Sequence, residues 1–247
     1  MNDVMAVVLA AGKGPRMQSE SCNLPKVLRE ACGKPLLHYV LAALDMVPQE
    51  KTVLVVGYQR EKVLAAFPGY PHAVQDPQMG TGHAVMSARQ YLDGFTGTVL
   101  VCYGDMPLLR HETYAGLLEY HAKTGAACTF LTGTTDLDLP YGRIVRDANG
   151  EFLRVVEDRD CTAEEKAIRE LNVGIYCFDG RLLPGALDQL QNNNAQHEYY
   201  LTDVPEILRR DGGKIALYKR DLQEQIIGVN TPDQLAATEQ YLRAAEK

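Results

Sequence analysis

The chain lacks several features that would assign it elsewhere. Its opening apolar run, Val4 to Ala11, is far too short to span a bilayer and ends in a glycine turn, not a small-residue cleavage site. No C-x-x-C pair occurs among Cys22, Cys32, Cys102, Cys128, Cys161 and Cys177, so neither a zinc site nor a thioredoxin-type centre is indicated, and reduced thiols in a cytoplasm are the simplest reading. There is no basic block. With a formal net charge of -7 the chain has nothing to release counterions from a polynucleotide backbone, which excludes nonspecific nucleic-acid binding. A nucleotide substrate stays compatible, because a few cations inside a cleft outweigh a screened global charge. No low-complexity tract, linker or repeat divides the sequence, and 247 residues suffice for a substantial core.

What the chain does have is an apolar strand that breaks into Gly12-Lys13-Gly14-Pro15-Arg16, with Leu24-Pro25-Lys26 after a spacer. Glycines let the main chain approach phosphate oxygens, and Lys13, Arg16 and Lys26 bring positive charge nearby. The spacing fits neither standard fingerprint: no Gly-Lys-Ser/Thr closes the loop, and no third glycine falls where a dinucleotide fold needs one. A plain βα connection would look the same, so the rest of the chain decides.

Runs at Val4 to Leu9, Thr52 to Val56 and Thr98 to Cys102 are apolar without polar alternation, as in strands covered on both faces of a parallel sheet. Helical patterns lie between or beside them at Leu36 to Leu44, Arg60 to Ala66 and Gly80 to Leu92. This predicts an α/β fold, Rossmann-like and doubly wound, over about residues 1–110. Shorter strands near Ala127 to Leu131, Arg143 to Arg146, Leu153 to Glu157 and Gly174 to Phe178 predict a smaller mixed or antiparallel β extension over 111–230. A helix at Thr202 to Arg210, a strand at Lys214 to Tyr218 and a closing helix over 231–245 complete a single domain.

Ligands of open α/β sheets bind beyond the carboxyl ends of the strands. Three segments sit there: the glycine loop, Tyr103-Gly104-Asp105, and Gln75 to His83. Asp105 follows an apolar run and a glycine, a place for a carboxylate that faces a cleft and holds Mg²⁺, or for a turn residue. Gln75 and Gln78 carry the donors and acceptors needed to read a pyrimidine edge, as well as being ordinary loop residues. His83 is expected to be a structural hydrogen-bonder, not a base. Asp105 has no Asp-x-Asp partner, which disfavours a glycosyltransferase.

Leu9-Ala10-Ala11-Gly12-x-Gly14-x-Arg16-Met17 with Leu24-Pro25-Lys26, Gln75-x-x-Gln78-x-Gly80-Thr81-Gly82-His83-Ala84, Tyr103-Gly104-Asp105-x-Pro107-Leu108, Tyr141-Gly142-Arg143-Ile144, Asn172-x-Gly174-Ile175, the segment Asn192 to Asp203, and Gly228-Val229-Asn230 can then be read together. They resemble the uridylyltransferase domain of bacterial N-acetylglucosamine-1-phosphate uridyltransferases, a branch of the sugar nucleotidyltransferases. The resemblance runs nearly end to end. It implies the nucleotide-diphospho-sugar transferase fold and Mg²⁺-dependent transfer of UMP from UTP to N-acetylglucosamine 1-phosphate, giving UDP-N-acetylglucosamine, a cell wall precursor, and pyrophosphate.

Carried over residue by residue, the resemblance makes Leu9, Ala10, Ala11, Gly12, Gln75, Gln78, Gly80, Thr81, Tyr103 and Gly104 nucleotide-binding. It makes Arg16 and Lys26 catalytic, with Arg16 on the leaving pyrophosphate, and Asp105 and Asn230 ligands of Mg²⁺. Tyr141, Gly142, Glu157, Asn172, Glu198, Tyr200 and Thr202 form the sugar pocket. Seen singly, Glu157, Asn172 and Asn230 also fit surface or turn roles, and Tyr199 and Tyr200 fit packing roles. The chemistry agrees with an absent catalytic triad: a phosphomonoester with a second pKa of about 6 is already largely dianionic at neutral pH and needs no general base.

Two departures from the branch pattern stand out. Pro15 occupies a threonine position and removes a hydroxyl and a backbone N–H from the phosphate loop, while the stretch from Gln18 to Asn23 is longer than expected. The hexapeptide repeats of the β-helical acetyltransferase that follows this domain in the bifunctional proteins are also absent from these residues. That leaves a one-activity protein and a piece of a longer one both open, together with the oligomeric state. A different base or sugar specificity, or a weakened nucleotide-sugar-binding paralogue, are the alternatives.

Overall fold

The computed structural model describes residues 3–17, 23–134 and 139–245. Cys22 and most of the long stretch after Met17 lie outside them. In chain order the described strands are β1 (Val4–Ala10), β2 (Glu30–Ala31), β3 (Lys34–Pro35), β4 (Thr52–Val56), β5 (His72–Val74), β6 (Thr98–Tyr103), β7 (Cys128–Thr134), β8 (Arg143–Arg146), β9 (Phe152–Val156), β10 (Glu170–Asp179) and β11 (Ile215–Asp221). The helices are α1 (Leu36–Ala43), α2 (Arg60–Ala66), α3 (Thr81–Ser87), α4 (Arg89–Leu92), α5 (His111–Thr124), α6 (Ala163–Lys166), α7 (Leu183–Leu187), α8 (Val204–Arg210) and α9 (Pro232–Ala245).

The main sheet has the order β11-β7-β10-β6-β1-β4-β5. All neighbours are parallel except those of β10, which runs antiparallel to both β6 and β7. The β8–β9 hairpin branches from β10 through the Leu171–Arg143 pair. The second half therefore extends the same sheet instead of building a separate one.

The unalternating runs have a simple cause: both faces of the central strands are covered. From β1, Val7 and Leu9 enter one apolar layer and Ala6, Val8 and Ala10 the other. Val53 and Val55 of β4, and Val99 and Val101 of β6, share the first layer, while Leu54, Val56, Leu100 and Cys102 share the second. Helices α3, α7 and α8 close the first layer, and α1, α2 and α5 close the second. Leu100 is wholly buried, so Leu100→Ala costs about 2–5 kcal/mol, the range for large-to-small changes in a core.

Several boundaries differ from the sequence pattern. The helix expected from Gly80 to Leu92 is two pieces, α3 and α4, separated at Ala88. The strand expected over Gly174 to Phe178 begins at Glu170, because Leu171 already pairs with Gly133. The helix expected from Thr202 starts at Val204, after a 3₁₀ turn over Leu201–Asp203.

Candidate active site

The carboxyl ends of β1, β5 and β6 open onto one cleft. After β1 the chain passes Ala11 and Gly12, and two hydrogen bonds fix that exit: Tyr58 N–H donates to the Ala11 carbonyl (3.1 Å), as does Gln78 Nε2 (2.5 Å). After β5, Gln75 is buried and donates through Nε2 to the Gly80 carbonyl (2.8 Å). A carbonyl only accepts, so this contact orients the amide and leaves Oε1 as an acceptor. His83 Nδ1 lies 3.4 Å from the same nitrogen, and burial holds the His83 pKa below the ordinary imidazole value.

The segment Met79 to Gly82 is stitched to the loop that follows the triple asparagine. Tyr199 N–H donates to the Met79 carbonyl (2.9 Å), Gly82 N–H to the Tyr199 carbonyl (2.7 Å) and Leu201 N–H to Thr81 Oγ1 (3.1 Å). Gly80 has φ +101°, and a Cβ there would meet the Tyr199 carbonyl at 2.6 Å, so only glycine permits this approach. Asn194 secures the same loop, its Oδ1 accepting from Gln196 N–H (3.2 Å) and Glu198 N–H (3.1 Å).

Asp105 follows β6 and Gly104, whose N–H donates to the Leu9 carbonyl (2.9 Å). The Asp105 carbonyl accepts from Val229 N–H (2.9 Å), which brings Asn230 beside it. The Lys26 ammonium bridges the two: it pairs with the Asp105 carboxylate and donates to Asn230 Oδ1 (3.0 Å). Two hard oxygens thus converge on one positive charge. Among the described residues no group of three or more His, Cys, Asp or Glu could hold a metal.

Two cavities meet at this point. The larger, about 530 Å³, is lined by the residues from Leu9 to Gly14 together with Arg16, Lys26, Gln75, Gln78, Gly80 and Thr81. The smaller, about 180 Å³, is lined by Tyr141, Gly142, Glu157, Asn172 and Gly174 among others. Tyr103, Asp105 and Asn230 line both. The wall of the small cavity is internally braced: Tyr141 OH donates to the Ile226 carbonyl (2.6 Å) and accepts from Gly228 N–H (2.9 Å), while Thr202 Oγ1 donates to Glu157 Oε1 (3.0 Å). Burial pushes the Glu157 pKa up, opposed by the Thr202 hydroxyl and reinforced by Asp160, Asp158 and Glu198. Burial likewise pushes Tyr141 up to about 12, so it stays a neutral phenol.

Not every expected sugar residue lines that cavity. Glu198 lines the larger cleft, and Thr202 is buried behind Glu157. Tyr200 borders a third cavity of about 400 Å³ with Asp160, Asn194 and Asp203, its hydroxyl donating to Asp160 Oδ2 (3.3 Å). Gly104 lies against Leu37 and Val27 and lines neither of the first two cavities. Arg159 lines the larger cleft without having been singled out by sequence. No motif marks it; it is placed by the turn after Glu157 and held by Gln196 Oε1 (2.7 Å). The described cysteines carry free thiols, and no described helix is long and apolar enough to cross a membrane.

Residues 6–199 match the family model for the MobA-like NTP transferase domain. The chain is 44% identical over 242 residues to the bifunctional protein GlmU of Pelotomaculum thermopropionicum, covering 98% of this chain and 52% of that protein. It is 44% identical over 239 residues to the bifunctional protein GlmU of Geobacillus thermodenitrificans, covering 96% and 51%. The chain thus spans about half the length of the curated relatives it matches. A crystal structure from Bacillus anthracis, assigned as a glucose-1-phosphate thymidylyltransferase in complex with sucrose, has the same fold: TM-score 0.75 over 97% of this chain and 95% of that one, at 17% identity.

Proposed function

Because the chain belongs to the MobA-like NTP transferase domain family, we propose that it transfers UMP from UTP to N-acetylglucosamine 1-phosphate, releasing pyrophosphate and forming UDP-N-acetylglucosamine. The observation that carries this reading is the pair of cavities sharing Tyr103, Asp105 and Asn230. A nucleotide-sized cleft and a sugar-sized pocket meet where a carboxylate and an amide oxygen converge on a cation.

The barrier in such a transfer is repulsion, since one anion attacks the α-phosphorus of another. Lys26, Lys13 and Arg16 line the cleft and carry the charge that offsets it. Mg²⁺ held by Asp105 and Asn230 would supply further neutralisation of the phosphate oxygens. Lys26 lies on the Asp105 carboxylate, and Arg16 belongs to the phosphate loop, in keeping with a role on the departing pyrophosphate. The acceptor phosphate arrives as a dianion and needs no protein base. Orientation does the rest: the braced small cavity fixes the sugar, and the cleft fixes the nucleotide for in-line displacement.

Base selection has a local cause as well. Gln75 presents Oε1 as an acceptor, because Nε2 is taken by the Gly80 carbonyl, and an acceptor matches the N3–H of a uracil ring. A cytosine ring offers an unprotonated nitrogen there, and the two lone pairs repel. The test is pyrophosphate release across four nucleoside triphosphates and a set of sugar 1-phosphates. UTP with N-acetylglucosamine 1-phosphate gives the highest kcat/KM; equal rates with CTP would refute the assignment of Gln75.

A further inference from the structure

The register of β10 against β7 shifts in the wall of the small cavity: Asn172 faces Thr132, whereas Tyr176 faces Phe130, so β10 bulges between them. Gly174 stands in the bulge with φ +86°, and a Cβ there would meet the Tyr103 ring at 2.3 Å. Its N–H donates to Asn172 Oδ1 (3.2 Å), and Asn172 Nδ2 donates to the Tyr176 hydroxyl (2.6 Å). A backbone N–H only donates, so its partner must be the oxygen of the amide, and the Asn172 side chain has one orientation. Tyr176 cannot follow a moving asparagine. It is wholly buried, stacked on Phe178 (centroids 5.5 Å apart, planes at 13°) and packed on Phe130 (5.4 Å).

We propose that Tyr176 is a positioning residue for the sugar pocket: its hydroxyl, with the Gly174 N–H, locks the Asn172 amide so that the remaining Nδ2 proton is presented to an oxygen of the sugar. The proposal rests on the small cavity being the sugar site. It gives that site a fixed polarity, a donor at Asn172 and an acceptor at Glu157 in the same lining, so acceptor sugars must bring an oxygen acceptor and a hydroxyl donor to matching places. Removing the hydroxyl while keeping the ring frees Asn172 to turn and leaves the phenyl packing in place.

The experiment is Tyr176→Phe in the full chain, with KM measured separately for UTP and for N-acetylglucosamine 1-phosphate by pyrophosphate release. The expected result is a rise in the sugar-phosphate KM of about three- to tenfold, the equivalent of one neutral hydrogen bond, with the UTP KM unchanged. An unchanged sugar-phosphate KM, or equal rises for both substrates, overturns the proposal, since a merely structural tyrosine would move both or neither. A second measurement does not depend on the variant folding. In wild-type protein labelled with ¹⁵N-asparagine, and with the signal assigned through Asn172→Asp, the Asn172 side-chain proton donated to the Tyr176 hydroxyl should exchange slowly with solvent; fast exchange of both amide protons contradicts the lock. Should wild-type protein bind UTP but turn over no sugar 1-phosphate, the proposed reaction fails, whereas the exchange result still decides whether the amide is locked.

Discussion

The ammonium of Lys26 rests on the Asp105 carboxylate, so a cationic side chain holds the place between two oxygens suited to a divalent ion. Under the proposed reaction, loading that site with metal and phosphates would require Lys26 to swing away, with the incoming phosphate oxygens as its new partner. In Lys26→Met the stem that packs against Gly14 is kept and the charge is lost. Turnover should fall by about 10²–10³-fold, as for loss of one preorganised donor to a developing charge. In the absence of nucleotide, however, the variant should bind Mn²⁺ more tightly than wild type by electron paramagnetic resonance titration. Weaker Mn²⁺ binding in the variant would contradict competition for this site.

Pro15 opens a 3₁₀ turn, Pro15–Met17, closed by Met17 N–H on the Gly14 carbonyl (3.0 Å). The first position of a helical turn makes no bond with its own N–H, so proline there is compatible with the fold, and what it lacks is a donor for phosphate. Pro15→Thr restores that donor. The variant should raise kcat/KM for UTP, by at most about 100-fold for a hydrogen bond to a charged group, with little change in Tm. A large loss would show that the loop is adapted to proline.

Glu157 is a charged, acceptor-only group when ionised and gains an O–H donor when protonated, and burial raises its pKa while the Thr202 hydroxyl holds it down. Sugar-phosphate affinity should therefore weaken as pH falls, starting above the usual carboxylate range. Thr202→Val removes the opposing hydrogen bond and should move that acidic limb to higher pH, leaving the UTP KM unaltered. The substrate's own phosphate ionisation contributes equally to both proteins, so the difference between their profiles isolates Glu157. Superimposable profiles would contradict the contact.

Burial, with the Glu206, Glu157 and Asp160 carboxylates nearby, pushes Asp203 up from 3.8 to about 6. The folded protein then holds this proton more tightly than the unfolded chain, so the contribution of Asp203 to stability falls as pH rises through that window and is lowest above it. Asp203→Asn should raise Tm at pH 8 and have a much smaller effect near pH 4, by differential scanning calorimetry. A lower Tm at pH 8 would mean that the ionised carboxylate is stabilised in the fold.

Strands buried on both faces announced themselves: β1, β4 and β6 are apolar without alternation because helices cover each side. Elements whose cue was divided did not. Helix α5 buries Tyr114, Leu117, Leu118 and His121 at helical spacing, yet its other face is charged and the stretch drew no assignment from sequence. Strand β5 has three residues and lies at the sheet edge, too short for any period to register. The motifs brought most of the lining of two cavities onto the page, including Asp105 and Asn230, which lie 125 positions apart and are joined by the Val229–Asp105 backbone bond and by the shared Lys26 ammonium. Arg159 and Tyr176 were invisible, because what matters about each is a tertiary contact: Arg159 with Gln196, Tyr176 with Asn172.

The most direct test is pyrophosphate release from UTP and N-acetylglucosamine 1-phosphate by the purified chain, with Mg²⁺ and with excess chelator, alongside Asp105→Asn. Turnover is expected to require the divalent ion and to collapse in Asp105→Asn, while the variant keeps the circular dichroism spectrum and Tm of a folded domain. Metal-independent turnover, or wild-type rates in Asp105→Asn, would contradict this expectation.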